Sequence, residues 1–139
     1  MAINESMKNG NFGLIVFLSL GLLLTSCEGN TDRDWIIAND SSSSIEVTAT
    51  FILDSGMSKE TINSGNSKTI TITNQLGGNS TPQAPNEVFT SLLVTNEEGG
   101  TFTRDFTLLE NWESTIEQTK RVPSNYVHEY ILYVTNEDF

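Results

Sequence analysis

The chain has few side chains suited to acid–base chemistry, and His128 is its only histidine. General acid–base catalysis near neutral pH most readily uses histidine. His128 lies within the alternating segment YVHEYILYVT, on the same face as Tyr126 and Tyr130. That position favours a packed, hydrogen-bonded histidine over a catalytic one. A Ser-His-Asp triad is a spatial arrangement that residue order does not reveal, but no serine sits in a GxSxG motif. A small hydrolase is therefore the least favoured class.

Metal chemistry has little support in the sequence. Zinc and copper sites need several histidine or thiolate ligands, and the chain has one histidine and one cysteine. The DxDxDG spacing of a calcium loop is absent. The carboxylates lie mainly in turns and near the ends of the chain, where they are typical of solvated surface charge. We therefore expect no metal and no cofactor.

Two regions could contact a ligand or a partner. Residues 75–87, QLGGNSTPQAPNE, form the longest stretch without apolar periodicity. A loop of this length in a small domain is either mobile or functional, which makes Pro82, Gln83 and Pro85 candidate contact residues. Trp112 follows Glu110 and Asn111 at a predicted corner, and an exposed tryptophan there could stack on a sugar ring.

The charge of the chain excludes one class of partner. Seven basic residues stand against 18 acidic residues, a formal net charge of −11. Such a protein repels the phosphates of DNA and RNA, so nucleic-acid binding is not expected.

An apolar segment near the N-terminus precedes Cys27 and indicates how this cysteine is modified. Residues 12–24, FGLIVFLSLGLLL, would span roughly 20 Å as a helix, which suits a signal peptide better than a transmembrane span of ~30 Å. The residues that follow, Leu24-Thr25-Ser26-Cys27, resemble the lipobox of bacterial lipoproteins. The resemblance implies cleavage before Cys27, diacylglycerylation of its thiol and acylation of the new amino group, for instance by palmitate. Lys8 suggests that translation could start at Met7 instead of Met1.

This resemblance divides the chain into three parts. Residues 1–26 are predicted to be the signal peptide, residues 27–34 a lipidated polar tether, and residues 35–139 one folded domain. The acids that follow Cys27 resemble the export signals of surface-exposed lipoproteins in the Bacteroidetes. The expected location is therefore the cell envelope, anchored by lipid to the outer membrane on its periplasmic or surface side.

The predicted domain is built of strands. Residues 45–53, IEVTATFIL, place an apolar side chain at every second position, as a half-buried strand does. Residues 88–95 and 101–108 flank NEEGG and predict a hairpin, with Arg104 near a sheet edge and its charge in water. The last segment, from Tyr126 onward, is apolar on both faces and predicts a central strand. Seven or eight strands at regular intervals predict an antiparallel β-sandwich of Ig-like or related Greek-key topology.

The layout of this domain also suggests a family. The segments DWIIANDSSSSIEV, RDFTLLENW and HEYILYVTNEDF together resemble small lipoproteins of unknown function from the Bacteroidetes, over the range from Trp35 to Phe139. The resemblance implies an envelope β-sandwich and no catalytic residues. We expect a non-enzymatic binding or accessory module. A glycan-binding surface lipoprotein is the alternative, and a small hydrolase is the second.

Overall fold

A computed structural model describes residues 28–53 and 56–139, which contain seven β-strands and three 3₁₀ turns. The 3₁₀ turns are Pro85–Glu87, Leu109–Asn111 and Asn136–Asp138. The strands are β1 (Asn30–Asn39), β2 (Ile45–Phe51), β3 (Met57–Ile62), β4 (Ser67–Leu76), β5 (Phe89–Asn96), β6 (Glu113–Lys120) and β7 (Asn125–Val134).

The strands form two sheets that pack face to face. One sheet has the order β4-β1-β7-β6 and the other β3-β2-β5. This confirms the predicted all-β sandwich and the central position of β7. The pairing is antiparallel with one exception, because β1 runs parallel to β7 along its whole length, from Asn30 opposite Asn125 to Asn39 opposite Val134. The first and last strands of the domain therefore lie side by side in the middle of the larger sheet.

The expected tether is part of this sheet. β1 begins at Asn30, five residues before the predicted start of the domain, so the boundary at residue 34 is wrong. The side chains of Thr31 and Arg33 point inward and are buried, while Asp32 and Asp34 point outward. The segment looked like a linker because its inward side chains are polar. Its backbone nevertheless pairs with β4 and β7.

An aromatic cluster fills the centre of the sandwich. The Trp35 indole stacks on the Tyr130 ring at 4.2 Å between ring centroids. Trp112 and Phe89 pack edge-on against Trp35, at 5.3 and 5.5 Å. Aliphatic side chains of both sheets, Val47 and Val94 among them, surround this cluster. The alternation of apolar residues along the strands is what brings these side chains to one interior.

The second arm of the predicted hairpin is not a strand. Residues 102–108 are irregular, and only Thr101 forms an isolated bridge, to Thr95. Arg104 explains the difference, because its guanidinium binds the buried Asp138 carboxylate through Nε at 2.6 Å and Nη2 at 3.0 Å and also donates to the Tyr133 carbonyl. Its charge is therefore paired with a carboxylate, where water alone had been expected.

Asp138 is held in its charged form by these contacts. Burial alone would raise the pKa of Asp138, but the hydrogen bonds from Arg104 and Thr135 outweigh burial and leave the pKa below its ordinary value. Because the folded pKa is lowered, the stabilisation is present above an unfolded pKa of about 3.9 and is lost as the pH falls through the folded pKa.

We predict that Asp138→Asn lowers the free energy of unfolding of residues 28–139 by about 1.5–3 kcal/mol at pH 7, the range for hydrogen bonds to charged groups. Urea unfolding at pH 7 and pH 3 measures this, and the difference from wild type should shrink at pH 3. Glu137→Gln, an exposed neighbour, should leave stability unchanged. A difference that persists undiminished at pH 3 would contradict the charge-based explanation.

Candidate functional site

Residues 77–84, called here the docked loop, cover the inner face of β1 and β7. Thr31 Oγ1 donates to the Gly77 carbonyl at 2.9 Å and accepts from the Asn79 N–H at 2.8 Å. The Gln83 N–H donates to the Tyr130 hydroxyl at 2.7 Å. The loop that sequence predicted to be mobile or functional is thus tied to two strands and closes one end of the sandwich.

The candidate contact residues of this loop differ in accessibility. Pro82 is exposed, Gln83 is half-buried and Pro85 is fully buried beneath the 3₁₀ turn that it begins. The side-chain oxygen of Gln83 is buried without a hydrogen-bond partner. Of the three residues, only Pro82 therefore has the exposed side chain that contact with a partner requires.

His128 lies under the docked loop with both ring nitrogens engaged. Nε2 is 2.7 Å from the Asn79 carbonyl oxygen and therefore donates to it. Nδ1 is 3.0 Å from the Tyr130 hydroxyl. In the neutral ring with its proton on Nε2, Nδ1 is an acceptor, so the Tyr130 hydroxyl donates to Nδ1 while it accepts from the Gln83 N–H. A chain of hydrogen bonds from Gln83 to Asn79 thus runs through a neutral histidine, which confirms the predicted packed, hydrogen-bonded residue.

Burial and charge both favour this neutral form. Desolvation lowers the pKa of His128 and outweighs the hydrogen bond to the Asn79 carbonyl, which raises it, and the positive charge of Arg33 adds a smaller lowering effect. Arg33 is the parallel neighbour of His128 on β1. A neutral imidazole with both nitrogens occupied and no exposed surface is a structural element of the core and has no access to a substrate.

Arg33 is the polar residue that sequence reasoning missed. It is 3% exposed, its Nη2 donates to Gln75 Oε1 at 2.8 Å, and its Nε has no partner. Within the described residues no carboxylate forms an ion pair with it. Strict alternation from Thr31 to Ile37 would have found this inward position, but the polar composition of the segment concealed the alternation.

Trp112 is not an exposed platform. It is 4% exposed, its ring packs on Trp35 and Phe89, and its Nε1 donates to the Phe106 carbonyl at 2.8 Å. The expectation that Trp112 is exposed at a corner is therefore wrong. Since truncating a buried tryptophan costs about 3–5 kcal/mol, a variant here reports on stability and not on binding.

The outer face of the four-stranded sheet is left uncovered by the described residues. Its outward side chains alternate acids with half-buried apolar groups. Asp34 and Glu129 are direct neighbours across the β1–β7 pair, and Ile36 and Ile131 follow them in the next row. No base occupies the outward positions of residues 32–38 on β1, 127–133 on β7 or 113–117 on β6.

Carboxylates converge on one tyrosine of this outer face. The charge of Glu113 raises the pKa of Tyr133, and desolvation, Asp40 and Glu129 raise it further. A shallow groove of about 380 Å³ runs beside Tyr133 and is lined by Ile36, Ile131 and Glu129. The groove therefore combines aliphatic walls with an electronegative rim.

The remaining predictions concern metal ions and the N-terminus. Among residues 28–53 and 56–139, no group of three histidine, cysteine or carboxylate side chains is arranged to hold a metal ion. No helix in that part of the chain has the length and hydropathy to span a bilayer. The predicted signal peptide at 1–26 and the predicted lipidation site Cys27 lie outside the described residues.

The comparisons with known proteins add no family. Neither protein-family models nor curated proteins nor solved structures give a match to this chain.

We predict that His128→Gln removes a pH dependence of stability between pH 7 and 5. The folded pKa of His128 is lowered, so stability is full above the unfolded pKa of about 6.5 and falls as the unfolded state takes up a proton. Because the chain has one histidine, the difference between the two stability curves isolates this group.

Urea unfolding of residues 28–139 across this pH range is the measurement. Glutamine retains one donor but cannot bond both Asn79 and Tyr130 as the imidazole does, so the free energy of unfolding should fall by about 1–3 kcal/mol at pH 7. Tyr126→Phe, which changes a ring beside His128, should keep the wild-type pH dependence. Parallel curves for His128→Gln and wild type would show that the histidine is not held neutral.

Proposed function

We propose that this chain is a lipid-anchored lipoprotein of the cell envelope and that its domain acts by binding and not by catalysis. The signal-like segment and Cys27 support the lipid anchor. The partner we propose is a protein surface that presents basic side chains among aliphatic ones. One observation carries the binding role: the uncovered outer face of the four-stranded sheet, with its partly aliphatic groove and its acids in register.

The outer face of the four-stranded sheet lowers the stability of the fold, which supports a role of this face in recognition. Like charges directly opposite in a sheet destabilise it by up to about 1 kcal/mol, and Asp34 stands opposite Glu129. A neutral pair would fold more stably. A basic partner that neutralises both carboxylates offsets this repulsion, while the groove beside Ile131 provides apolar contact.

The competing functions find less support in the described residues. A hydrolase needs an accessible base, and His128 is fully buried with both nitrogens bonded. A glycan-binding site needs exposed aromatic rings, and both tryptophans are in the core. We therefore favour a protein partner.

The anchor is tested separately from the binding face. We predict that the wild-type chain incorporates radiolabelled palmitate and floats with membranes, and that Cys27→Ala does neither, because three acyl chains exceed the two signals that stable attachment requires. Ser26→Ala keeps a small residue at the cleavage site and should behave as wild type. Equal membrane association of Cys27→Ala and wild type would overturn the anchor.

The binding face is tested by site-specific photo-cross-linking in cells. We predict that a photoreactive residue in place of Ile131 yields one discrete adduct, because this side chain borders the groove. The matched control is Leu93, which is 49% exposed on the outer face of the other sheet and should yield none.

A charge variant shows whether the acids contribute. Glu129→Lys should remove the adduct at residue 131, since it places a like charge against a basic partner. Glu46→Lys makes the same charge change on the other sheet and should keep the adduct. An adduct of equal strength at residues 131 and 93, or one indifferent to Glu129→Lys, would contradict the proposal.

A further inference from the structure

One end of the sandwich, called here the proximal end, holds the residue nearest to the lipidation site. It comprises Gly29, the docked loop, the β2–β3 turn and the β6–β7 turn. Gly29 follows Cys27 by two residues, and two extended residues reach at most about 7 Å. A lipid attached to Cys27 would therefore hold this end of the domain close to the membrane.

Gly29 is fixed in place and is not part of a free spacer. Its carbonyl accepts from the Gly77 N–H at 2.8 Å, and Asn30 N–H donates to Asn125 Oδ1 at 3.0 Å. A Cβ on Gly29 would lie 1.7 Å from the Ser124 carbonyl oxygen, so only glycine fits between the two turns. The chain therefore leaves the sandwich in a defined direction.

The exposed apolar side chains gather at this same end. Eight large hydrophobic side chains are exposed in the described residues, and five of them lie on proximal turns or strand ends. Single exposed apolar residues need no explanation, but a group of them on one surface marks an interaction site. The five are Ile52, Leu53, Met57, Leu76 and Val122, of which Leu53, Leu76 and Val122 are at least 78% exposed.

The unpaired bases are at this end too. Lys59, Lys68 and Arg104 form ion pairs, and Arg33 is buried. The two bases that remain in the described residues are Lys120 and Arg121, both exposed beside Val122.

The opposite end of the sandwich has a different charge. Its turns carry the exposed acids Asp40, Glu97, Glu98 and Glu137, and Arg104, the base described there, is paired with Asp138. The described proximal turns carry Glu28 and Glu87 against the two bases, and Asp54 of the β2–β3 turn lies outside the described residues. A negatively charged surface repels the acid-rich end and attracts Lys120 and Arg121.

We infer that the proximal end lies against the bilayer, with Leu53, Leu76 and Val122 in the interface and Lys120 and Arg121 on anionic phospholipid headgroups. This inference rests on the lipid anchor proposed above. Apolar side chains flanked by bases are the combination that binds a membrane surface. The acid-rich end then points away from the membrane. The outer face of the four-stranded sheet is roughly perpendicular to the membrane plane and accessible to a partner.

The test uses the full lipidated chain in vesicles of phosphatidylethanolamine and phosphatidylglycerol. Because Cys27 is the only cysteine, Val122→Cys and Glu97→Cys each add one site for a fluorescent probe. Lipids that carry a nitroxide in the acyl chain quench probes at the bilayer interface. Quenching should be several-fold stronger at residue 122 than at residue 97, and equal or reversed quenching overturns the proposal.

A pair of charge reversals tests the headgroup contact. Lys120→Glu with Arg121→Glu should reduce quenching at residue 122, since each base near the surface changes a surface equilibrium by about fivefold. Lys59→Glu with Lys68→Glu changes the net charge equally on another part of the domain and should leave quenching intact. Loss of quenching in both pairs would show a general charge effect and overturn the assignment to Lys120 and Arg121.

The failure of the anchor is distinguishable from the failure of the orientation. If the wild-type chain does not float with the vesicles, the anchor is wrong and the orientation falls with it. If the chain floats and the two probes are quenched alike, the anchor stands and the orientation alone is wrong.

Discussion

The parallel pairing of β1 with β7 is the constraint on which the other features depend. It joins the first and last strands in the centre of the larger sheet over ten residues, from Asn30 beside Asn125 to Asn39 beside Val134. That register sets Arg33 beside His128 on the inner face and Asp34 beside Glu129 on the outer face. It also brings Gly29 against Ser124 at the end of the sheet. A shift by one residue would exchange the two faces and remove all three arrangements.

The two faces of this strand pair carry polar groups for different physical reasons. On the inner face, the hydrogen bonds of the docked loop satisfy Thr31, His128 and the Tyr130 hydroxyl, so their burial is compensated. On the outer face, Asp34 and Glu129 meet no base in the described residues and repel each other. The inner polar groups therefore support the fold, and the outer ones are available to a partner.

Sequence patterns predicted the strands whose alternation is apolar against polar. They identified β2 and the central position of β7, and inward residues of these two strands, among them Val47 and Tyr130, lie in the core. The patterns failed where tertiary contacts determine the local structure and the burial of a side chain. The first half of β1 has polar side chains inside, the segment around Arg104 is drawn away from a strand by Asp138, and Trp112 fills the core from a corner. Of the candidate contacts in the loop, composition could not distinguish the exposed Pro82 from the buried Pro85.

The same strand pair has a consequence for the order in which the domain can form. β1 is the first strand to be made and its central neighbour β7 is the last, so their pairing requires a loop closure across nearly the whole domain. Folds dominated by such distant pairings fold slowly. A chain that passes a narrow membrane channel N-terminus first therefore lacks its central pair until β7 emerges. On the export route that the proposed function implies, the sandwich would therefore be completed only after β7 has emerged.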